Sequence, residues 1–197
     1  MIADYLKDLI LDKIFKPYAN NVENFIHYSN KSEHIVDSRM LPAEKSISGF
    51  VTDTFGRDED NEDKYFAVNN PECSNFALLQ IDNGMIKSSK TKKCDCIIVN
   101  GQIFCLIEFK TNVTTNSVQT LQTHYDNAIV QLSRTKDIIN EGLLSEGKKI
   151  QDLRDAEAYI CFKHGHPTFT SSQVNVRTRF AEANEGMPLY FSQEKTI

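Results

Sequence analysis

The dipeptide Asn100-Gly101 limits the possible folds of this chain more than any other feature of its sequence. It stands between two apolar segments, residues 94–99 and residues 102–110. Asn-Gly between such segments is the strongest short-range signal for a β-hairpin, because both residues accept the positive φ angles of a two-residue turn. We therefore predict two antiparallel strands in which Val99 pairs with Gln102.

In this register three charged side chains meet on one face of the hairpin. Asp95 lies opposite Leu106, and Lys93 lies opposite Glu108. Directly opposed residues share a face, and so do alternate residues along a strand. Asp95, Glu108 and Lys110 are therefore predicted to project together, near the end of the hairpin that lies away from the turn. A slip of one residue would turn Asp95 to the other face, so the inference depends on the turn.

Both faces of the hairpin are otherwise apolar. The charged face also carries Ile97, Val99, Phe104 and Leu106, and the other face carries Cys94, Cys96, Ile98, Ile103, Cys105, Ile107 and Phe109. Such a hairpin is typical of the centre of a sheet that is covered on both sides, here by helices. Charged groups in that environment are costly unless they are paired or bind a metal ion, so this end of the hairpin is the candidate site.

The remaining pattern predicts one α/β domain over residues 1–197, with a mixed central sheet flanked by helices. Before residue 72 it predicts an N-terminal helix (2–15) and an irregular insert, with a short helix near 21–29 and a charged loop at 57–64. The core, residues 72–165, adds strands at 75–81 and 156–163 and an amphipathic helix from Val118 to Ile139. Thr115 or Asn116 is the predicted N-cap of this helix, and Gly142 follows its end. Residues 166–197 are predicted to hold strands at 173–180 and 188–192.

The composition indicates a globular protein with free thiols. Hydrophobic residues make up 40% and charged residues 25% of the chain, an ordinary balance. Its 5 cysteines have no regular spacing, which favours a reducing cytoplasm. No apolar run is long enough to cross a membrane. The net charge of −5 argues against a protein that coats nucleic acid non-specifically, but it is compatible with a metal nuclease.

Two neighbouring carboxylates point to a magnesium site. They repel each other unless a cation neutralises them, and Mg²⁺ binds hard oxygen ligands, typically one or two carboxylates together with waters. Asp95 and Glu108 would hold the ion, in place of which Mn²⁺ could bind, and the backbone carbonyl of Phe109 could add a further oxygen. Lys110 would orient or deprotonate the attacking water, or stabilise the charge that develops on phosphate.

In these residues the chain resembles the PD-(D/E)xK nuclease superfamily, whose fold is called restriction-endonuclease-like. The resemblance rests on Asp95 in Cys-Asp-Cys, on Glu108-Phe109-Lys110, and on the helix that contains Gln131-Leu132. It covers roughly residues 76–163. The Asp…Glu-x-Lys motif alone is loose, but its position on a hairpin that is followed by an amphipathic helix makes the resemblance more specific. It implies an αβββαβ core, magnesium-dependent phosphodiester hydrolysis and a metal ion held by Asp95 and Glu108.

The chain departs from the family pattern before the aspartate, where Cys94 replaces the proline of the family name. Many relatives also carry a glutamate on the first helix. The candidates for it here are Glu23, Glu33, Glu44 and Glu72, and the choice among them stays open.

Gln131 is the further residue assigned to catalysis. It precedes Leu132 of the apolar stripe and could contact the scissile phosphate, although a solvated helix face is an equal alternative. His124, seven positions earlier, is predicted to lie on the surface. Arg177 and Arg179, on one face of a predicted strand, and a group of lysines (Lys87, Lys90, Lys92 and Lys93) could supply phosphate contacts.

A zinc site formed by Cys94, Cys96 and Cys105 with His164 and His166 is the weaker metal hypothesis. Cys-x-Cys on a strand points both thiols to the same apolar face, which suits small core residues better than ligands.

Two functional hypotheses follow. The first is a metal-dependent nuclease, acting on DNA rather than RNA, in restriction, defence or repair. The second is a non-catalytic module of the same fold that binds a protein or nucleic-acid partner, or a subunit that depends on a partner. Cutting both strands of a duplex requires two sites, so that activity implies a homodimer.

Overall fold

A computed structural model describes residues 13–18, 21–37, 50–51, 64–144, 147–152, 155–167 and 171–197. The described strands are β1 (Ile26–Ser29), β2 (Glu33–Val36), β3 (Phe50–Val51), β4 (Tyr65–Asn69), β5 (Phe76–Gln80), β6 (Cys96–Val99), β7 (Ile103–Lys110), β8 (Asp155–Phe162), β9 (Leu189–Tyr190) and β10 (Glu194–Thr196). The helices are α1 (Val118–Leu143) and α2 (Ser171–Ala183), with short 3-10 helices at Val22–Phe25 and Ile150–Asp152. The chain is therefore an α/β protein. No helix in these ranges is both long and apolar enough to cross a membrane.

The strands form two sheets. The larger sheet has 6 strands in the order β1-β5-β6-β7-β8-β9. The pairs β1–β5, β5–β6 and β6–β7 are antiparallel, whereas β8 runs parallel to β7 and β9 parallel to β8. The smaller sheet has 4 strands in the order β10-β4-β2-β3. The predicted mixed sheet, with the hairpin β6–β7 at its centre, is confirmed.

Two apolar clusters cover the two faces of the larger sheet. The helix-facing core joins one face to α1 and α2, with Leu106, Leu132 and Phe180 among its buried members. The inter-sheet core joins the other face to the smaller sheet, through residues such as Ile107 and Phe66. The prediction of helices on both faces is therefore wrong for one face. The short strands of the smaller sheet come largely from residues 33–69, which carried only a weak pattern.

The hairpin turn differs from the predicted turn by two residues in register. Val99 pairs with Phe104 rather than with Gln102. The Asn100 side chain explains the shift, because its Oδ1 accepts hydrogen bonds from the N–H groups of Gln102 (2.7 Å) and Ile103 (2.9 Å). Asn100 therefore closes the turn as a side-chain acceptor, and Gly101 and Gln102 form the loop. A shift of two residues leaves each side chain of the two strands on its predicted face.

Helix α1 is longer than predicted at its C-terminal end. Its N-cap is Ser117, whose side chain accepts from the N–H of Thr120, and neither Thr115 nor Asn116 takes that position. Gly142 lies inside the helix instead of after it. A Cβ atom at Gly142 would lie 2.7 Å from Cγ1 of Ile14, so close packing explains this glycine.

The predicted strand at 173–180 is wrong, because these residues belong to α2. Its buried residues Gln173, Val176 and Phe180 recur at steps of three and four, which is the helical period. The predicted strand at 188–192 is present as the shorter β9, and β10 was not predicted. The short helix predicted at 21–29 is a 3-10 helix at Val22–Phe25 followed by β1. Residues 2–12 of the predicted first helix and 57–63 of the charged run lie outside the described residues.

Candidate active site at the end of the central hairpin

Asp95 lies at a β-bulge just before β6. The N–H groups of Ile81 and Asp82 both donate to the Asp95 carbonyl, at 3.0 and 3.1 Å. Ile81 and Asp82 therefore oppose the single residue Asp95, and the backbone bends at Asp95 itself. Cys94 accordingly lies in the helix-facing core and Cys96 in the inter-sheet core. The prediction that both cysteines share a face is wrong, because the backbone bends at Asp95 between them.

Glu108 and Lys110 come from the last residues of β7. Their registered neighbours on β8 are Ile160 and Phe162, which belong to the helix-facing core. Directly paired residues share a face, so both charged side chains project toward α1. The Nζ of Lys110 donates to Oε1 of Glu108 at 2.5 Å and to Oε1 of Gln131 at 3.1 Å. The structure thus brings these three predicted site residues together.

The Asp95 carboxylate reaches the same strand end through a backbone contact. Its Oδ2 accepts a hydrogen bond from the N–H of Phe109 at 2.6 Å. Phe109 follows Glu108 directly in the chain, and the charge of Asp95 acts on Glu108 to raise its pKa. The two carboxyl groups are therefore adjacent, with the peptide of Phe109 beside them. The use of the Phe109 carbonyl as a metal ligand stays a prediction.

Burial makes the negative charge of this pair costly. Desolvation, followed by repulsion from Asp37, raises the pKa of Asp95 from 3.8 to about 6, although the Phe109 N–H and Lys110 oppose the rise. Desolvation, followed by repulsion from Asp95, raises the pKa of Glu108 well above its usual value despite the contact with Lys110. Both carboxyl groups are buried, with exposed fractions of 7% for Asp95 and 1% for Glu108.

One oxygen of the pair is left without a hydrogen bond. Oε2 of Glu108 is buried and has no hydrogen-bond partner among the residues that the structure describes. A buried acceptor without a partner destabilises the folded protein by its full desolvation free energy, unless an ion or a ligand occupies the space beside it.

Helix α1 is fixed to the segment that leads into Asp95. The Gln131 side chain uses both ends of its amide, because its Nε2 donates to the carbonyl of Lys93 at 3.0 Å while its Oε1 accepts from Lys110. The hydroxyl of Thr135 accepts from the Cys94 N–H at 2.8 Å and donates to the Gln131 carbonyl at 2.9 Å. Gln131 therefore faces the site rather than solvent.

Lys93 does not lie opposite Glu108 as predicted. The register shift of two residues and the bulge move it away, and its Nζ instead forms an ion pair with Oδ1 of Asp82 at 2.9 Å. It also donates to the carbonyl of Ser88 at 2.8 Å. Lys93 therefore connects the loop before β6, at Ser88, to the bulged residue Asp82.

Asp37, directly after β2, is the acidic residue that sequence reasoning missed. It is buried, and among the described residues its charge is the largest electrostatic contribution to the raised pKa of Asp95. Among the four glutamate candidates, Glu33 bonds to Ser29 (2.6 Å), Glu23 and Glu72 are exposed, and Glu44 lies outside the described residues. The only signal for Asp37 was an acidic residue after the short apolar run Ile35-Val36.

The other predicted phosphate contacts are not brought together at the site. Arg177 and Arg179 lie on a helix, so their side chains diverge: Arg179 pairs with Asp126 at 2.8 Å, whereas Arg177 lies over the ring of Phe191. His124, predicted to lie on the surface, is partly buried, and this burial, followed by the charge of Lys110, lowers its pKa.

The donor atoms at this site are carboxylate oxygens and not thiolates. No group of three His, Cys, Asp or Glu side chains within the described ranges is arranged to hold a metal. Magnesium typically requires only one or two carboxylates, and Asp95 and Glu108, with the unbonded Oε2, match that donor set. The thiols of Cys94 and Cys96 are buried in different cores, and burial raises the pKa of each, which disfavours the thiolates that zinc requires.

Comparisons with models of known protein families, with curated proteins and with solved structures found no match for this chain. The fold and the site geometry therefore define its class on their own: an α/β protein with a mixed six-stranded sheet and an acidic pair at the end of its central hairpin.

Proposed function

We propose that this chain is a magnesium-dependent nuclease of the PD-(D/E)xK type, with Asp95, Glu108, Lys110 and Gln131 as its active-site residues. The observation that carries the proposal is the buried, unbonded Oε2 of Glu108 beside a second buried carboxylate. A cation placed there would relieve both the missing contact and the repulsion between the two groups.

Asp95 and Glu108 would hold the ion, and a bound Mg²⁺ would supply a Lewis acid for the negative charge of the phosphate. Lys110 contacts Glu108 and Gln131, so its ammonium group is held beside the acidic pair. From there it would bind an attacking water or a phosphate oxygen. Gln131 positions Lys110 and anchors α1 to the segment before Asp95. Water attacks phosphorus, one P–O bond breaks, and the products are a phosphate monoester and a free hydroxyl.

The substrate is a nucleic acid, with DNA preferred to RNA, and the setting is restriction, defence or repair in the cytoplasm. A homodimer would be required for cutting both strands of a duplex. The net charge of −5 implies that local cations, and not the whole surface, attract the phosphates.

Cleavage assays with Mg²⁺ or Mn²⁺ on plasmid, linear duplex and single-stranded DNA test the proposal. The wild type should cut at least one of these substrates, whereas Asp95→Ala and Lys110→Ala should reduce the rate by at least about 100-fold, as loss of a charge-stabilising group does. Lys31→Ala is the matched control, because Lys31 is exposed in the turn between β1 and β2. Equal behaviour of the wild type and the site variants on every substrate would refute catalysis at this site.

One observation favours a non-catalytic binding module instead. Burial raises the pKa of both Asp95 and Glu108, and a single proton held by such a pair of carboxyl groups can stabilise them without a metal ion. Titration calorimetry separates the two functions. Binding of Mg²⁺ or Mn²⁺ that disappears in Asp95→Ala supports the nuclease, and a complete absence of binding supports the module.

A further inference from the structure

A pocket of about 340 Å³ adjoins the candidate active site at the C-terminal end of β8. Two of its lining residues, Ile160 and Phe162, are the registered neighbours of Glu108 and Lys110 on the adjacent strand. Paired residues on neighbouring parallel strands share a face, so the pocket and the acidic pair lie side by side on the α1 side of the sheet. Its volume lies within the range of about 300–1,000 Å³ that is usual for small-ligand sites.

The apolar wall of the pocket is aromatic and held rigidly. The rings of Phe162 and Phe191 are nearly parallel, with an interplanar angle of 24° and centroids 6.4 Å apart. Tyr125 of α1 packs edge-on against both rings, at 5.7 and 5.2 Å between centroids. The guanidinium of Arg177 lies 5.8 Å from the centroid of Phe191 and brings a positive charge to this wall. A planar, electron-rich ligand beside an anionic group suits such a wall.

The polar wall of the pocket carries hydrogen-bonding capacity that the described protein does not use. Gln173, on the first turn of α2, lines the pocket with only 3% of its surface exposed. Its amide forms no hydrogen bond with the residues that the structure describes. Nε2 of His166, on the opposite loop, is also buried without a partner in the described parts of the chain. The buried His166 Nε2 carries a desolvation cost that a bound ligand would offset, and the Gln173 amide is free to bond to that ligand.

We propose that this pocket binds a nucleobase and that the substrate of the chain is therefore single-stranded nucleic acid. The assignment of the base as part of a substrate rests on the nuclease function proposed above. An amide presents one donor side and one acceptor side, which matches the edge of a base, and an aromatic wall provides the stacking surface. The phosphate attached to that base would lie toward Lys110, because the pocket shares its strand pair with the acidic site.

The pocket is incompatible with a base that remains stacked in a duplex. A base can fill a pocket of this kind only if it is unpaired and unstacked, and this costs least in a single strand. Single-stranded DNA is therefore expected to bind more tightly than the same sequence in a duplex, even where no cleavage takes place.

Fluorescence anisotropy in EDTA tests the inference without hydrolysis. The probes are a fluorescein-labelled single-stranded DNA of twelve nucleotides, the same strand in a duplex, and unlabelled deoxynucleoside monophosphates as competitors. Phe191→Leu keeps apolar bulk but removes the stacking surface, so it should weaken single-strand binding by roughly 5-fold or more. Tyr28→Leu is the matched control, because Tyr28 is an aromatic residue of β1 that is 52% exposed. It should leave the affinity unchanged.

Gln173→Met is a second variant that does not depend on the aromatic packing. Methionine has nearly the same volume as glutamine and removes an unbonded buried amide, so the thermal midpoint should stay the same or rise. Its affinities for oligo-dA, oligo-dC and oligo-dT should become more alike than those of the wild type. A folded variant that keeps the wild-type differences would show that Gln173 does not contact the base.

Three results would overturn the inference: equal affinity for single strand and duplex, unchanged single-strand affinity in both variants, or mononucleotides that bind as tightly as the oligonucleotide. The last result would assign the pocket to a free nucleotide. Single-strand binding that depends on Phe191 in a protein without Mg²⁺-dependent cleavage would support the pocket and reject the nuclease. Cleavage of duplex DNA, together with unchanged single-strand affinity in Phe191→Leu and Gln173→Met, would support the nuclease and reject the pocket.

Discussion

Replacement of Asp95 by asparagine is expected to stabilise the metal-free protein while it removes metal binding. The pKa of Asp95 is about 6 in the folded protein against an ordinary 3.8, chiefly because the group is buried and lies near Asp37. At about 1.4 kcal/mol for each pKa unit, ionisation of Asp95 costs the native state about 3 kcal/mol at neutral pH. Asparagine keeps an oxygen that can accept from the Phe109 N–H, and it carries no charge.

The dependence on pH gives the sign of this effect. A carboxyl group whose pKa is raised on folding binds more protons in the native state than in the unfolded state between the two pKa values. For Asp95 these values are 3.8 and about 6, so stability falls as the pH rises through this interval, and the full cost remains above it. The slope should be smaller in Asp95→Asn. Glu108 loses the repulsion of Asp95 in this variant, which adds to the gain in stability.

Urea denaturation in EDTA between pH 4 and pH 8, with and without Mg²⁺, measures both effects. Asp95→Asn should exceed the wild type by about 3 kcal/mol at pH 7.5 in EDTA, and Mg²⁺ should stabilise only the wild type. Asp126→Asn removes an exposed ion pair with Arg179 and should change stability by less than about 1 kcal/mol. An Asp95→Asn variant that is no more stable than the wild type in EDTA would refute the reasoning about the buried pair.

Two further substitutions test the packing around the sheet. Gly142→Ala should lower the free energy of unfolding by about 1–3 kcal/mol, because its new Cβ would lie 2.7 Å from Ile14; Gly101→Ala, which has open space around it, is the control. Lys195→Met should cost about 2 kcal/mol, because the carboxylate of Glu157 is buried and forms an ion pair with Lys195. Adding Glu157→Gln should recover most of that loss. Urea denaturation measures all of these values, and a Gly142→Ala variant as stable as the wild type, or a Lys195→Met variant without loss, would contradict them.

The central hairpin could be predicted from the sequence because its signals are local. Asn-Gly between apolar runs fixes an antiparallel pair, and the alternation of side chains fixes the faces of Glu108 and Lys110. The register was wrong by two residues, since Asn100 accepts hydrogen bonds with its side chain instead of standing in the loop. That error leaves the faces unchanged because the period of a strand is two.

The smaller sheet and α2 could not be predicted in the same way. Strands such as β3 and β10 have 2 and 3 residues, too few to show a period, and they are stabilised by distant partners. In α2 the apolar Val174 and Val176 alternate with the polar Asn175 and Arg177, as in a strand. Only the structure shows that Val174 is exposed and Val176 is buried. Its true period is visible only when the steps from Gln173 to Phe180 are read at a spacing of three and four.

The bulge at Asp95 shows why the position of the aspartate is more significant than the motif. In a regular strand Asp95 would share the alternation of Ile97 and Val99, and its carboxylate would lie over the helix-facing core. The bend at Asp95, opposite the bulged residues Ile81 and Asp82, takes it out of that alternation, so the carboxylate can accept from the Phe109 N–H while it stays adjacent to Glu108. A bulge leaves ladder hydrogen bonds irregular and buries a charge, and such features persist near sites where they aim a side chain. The irregular backbone and the unbonded oxygen of Glu108 thus point independently to the same place.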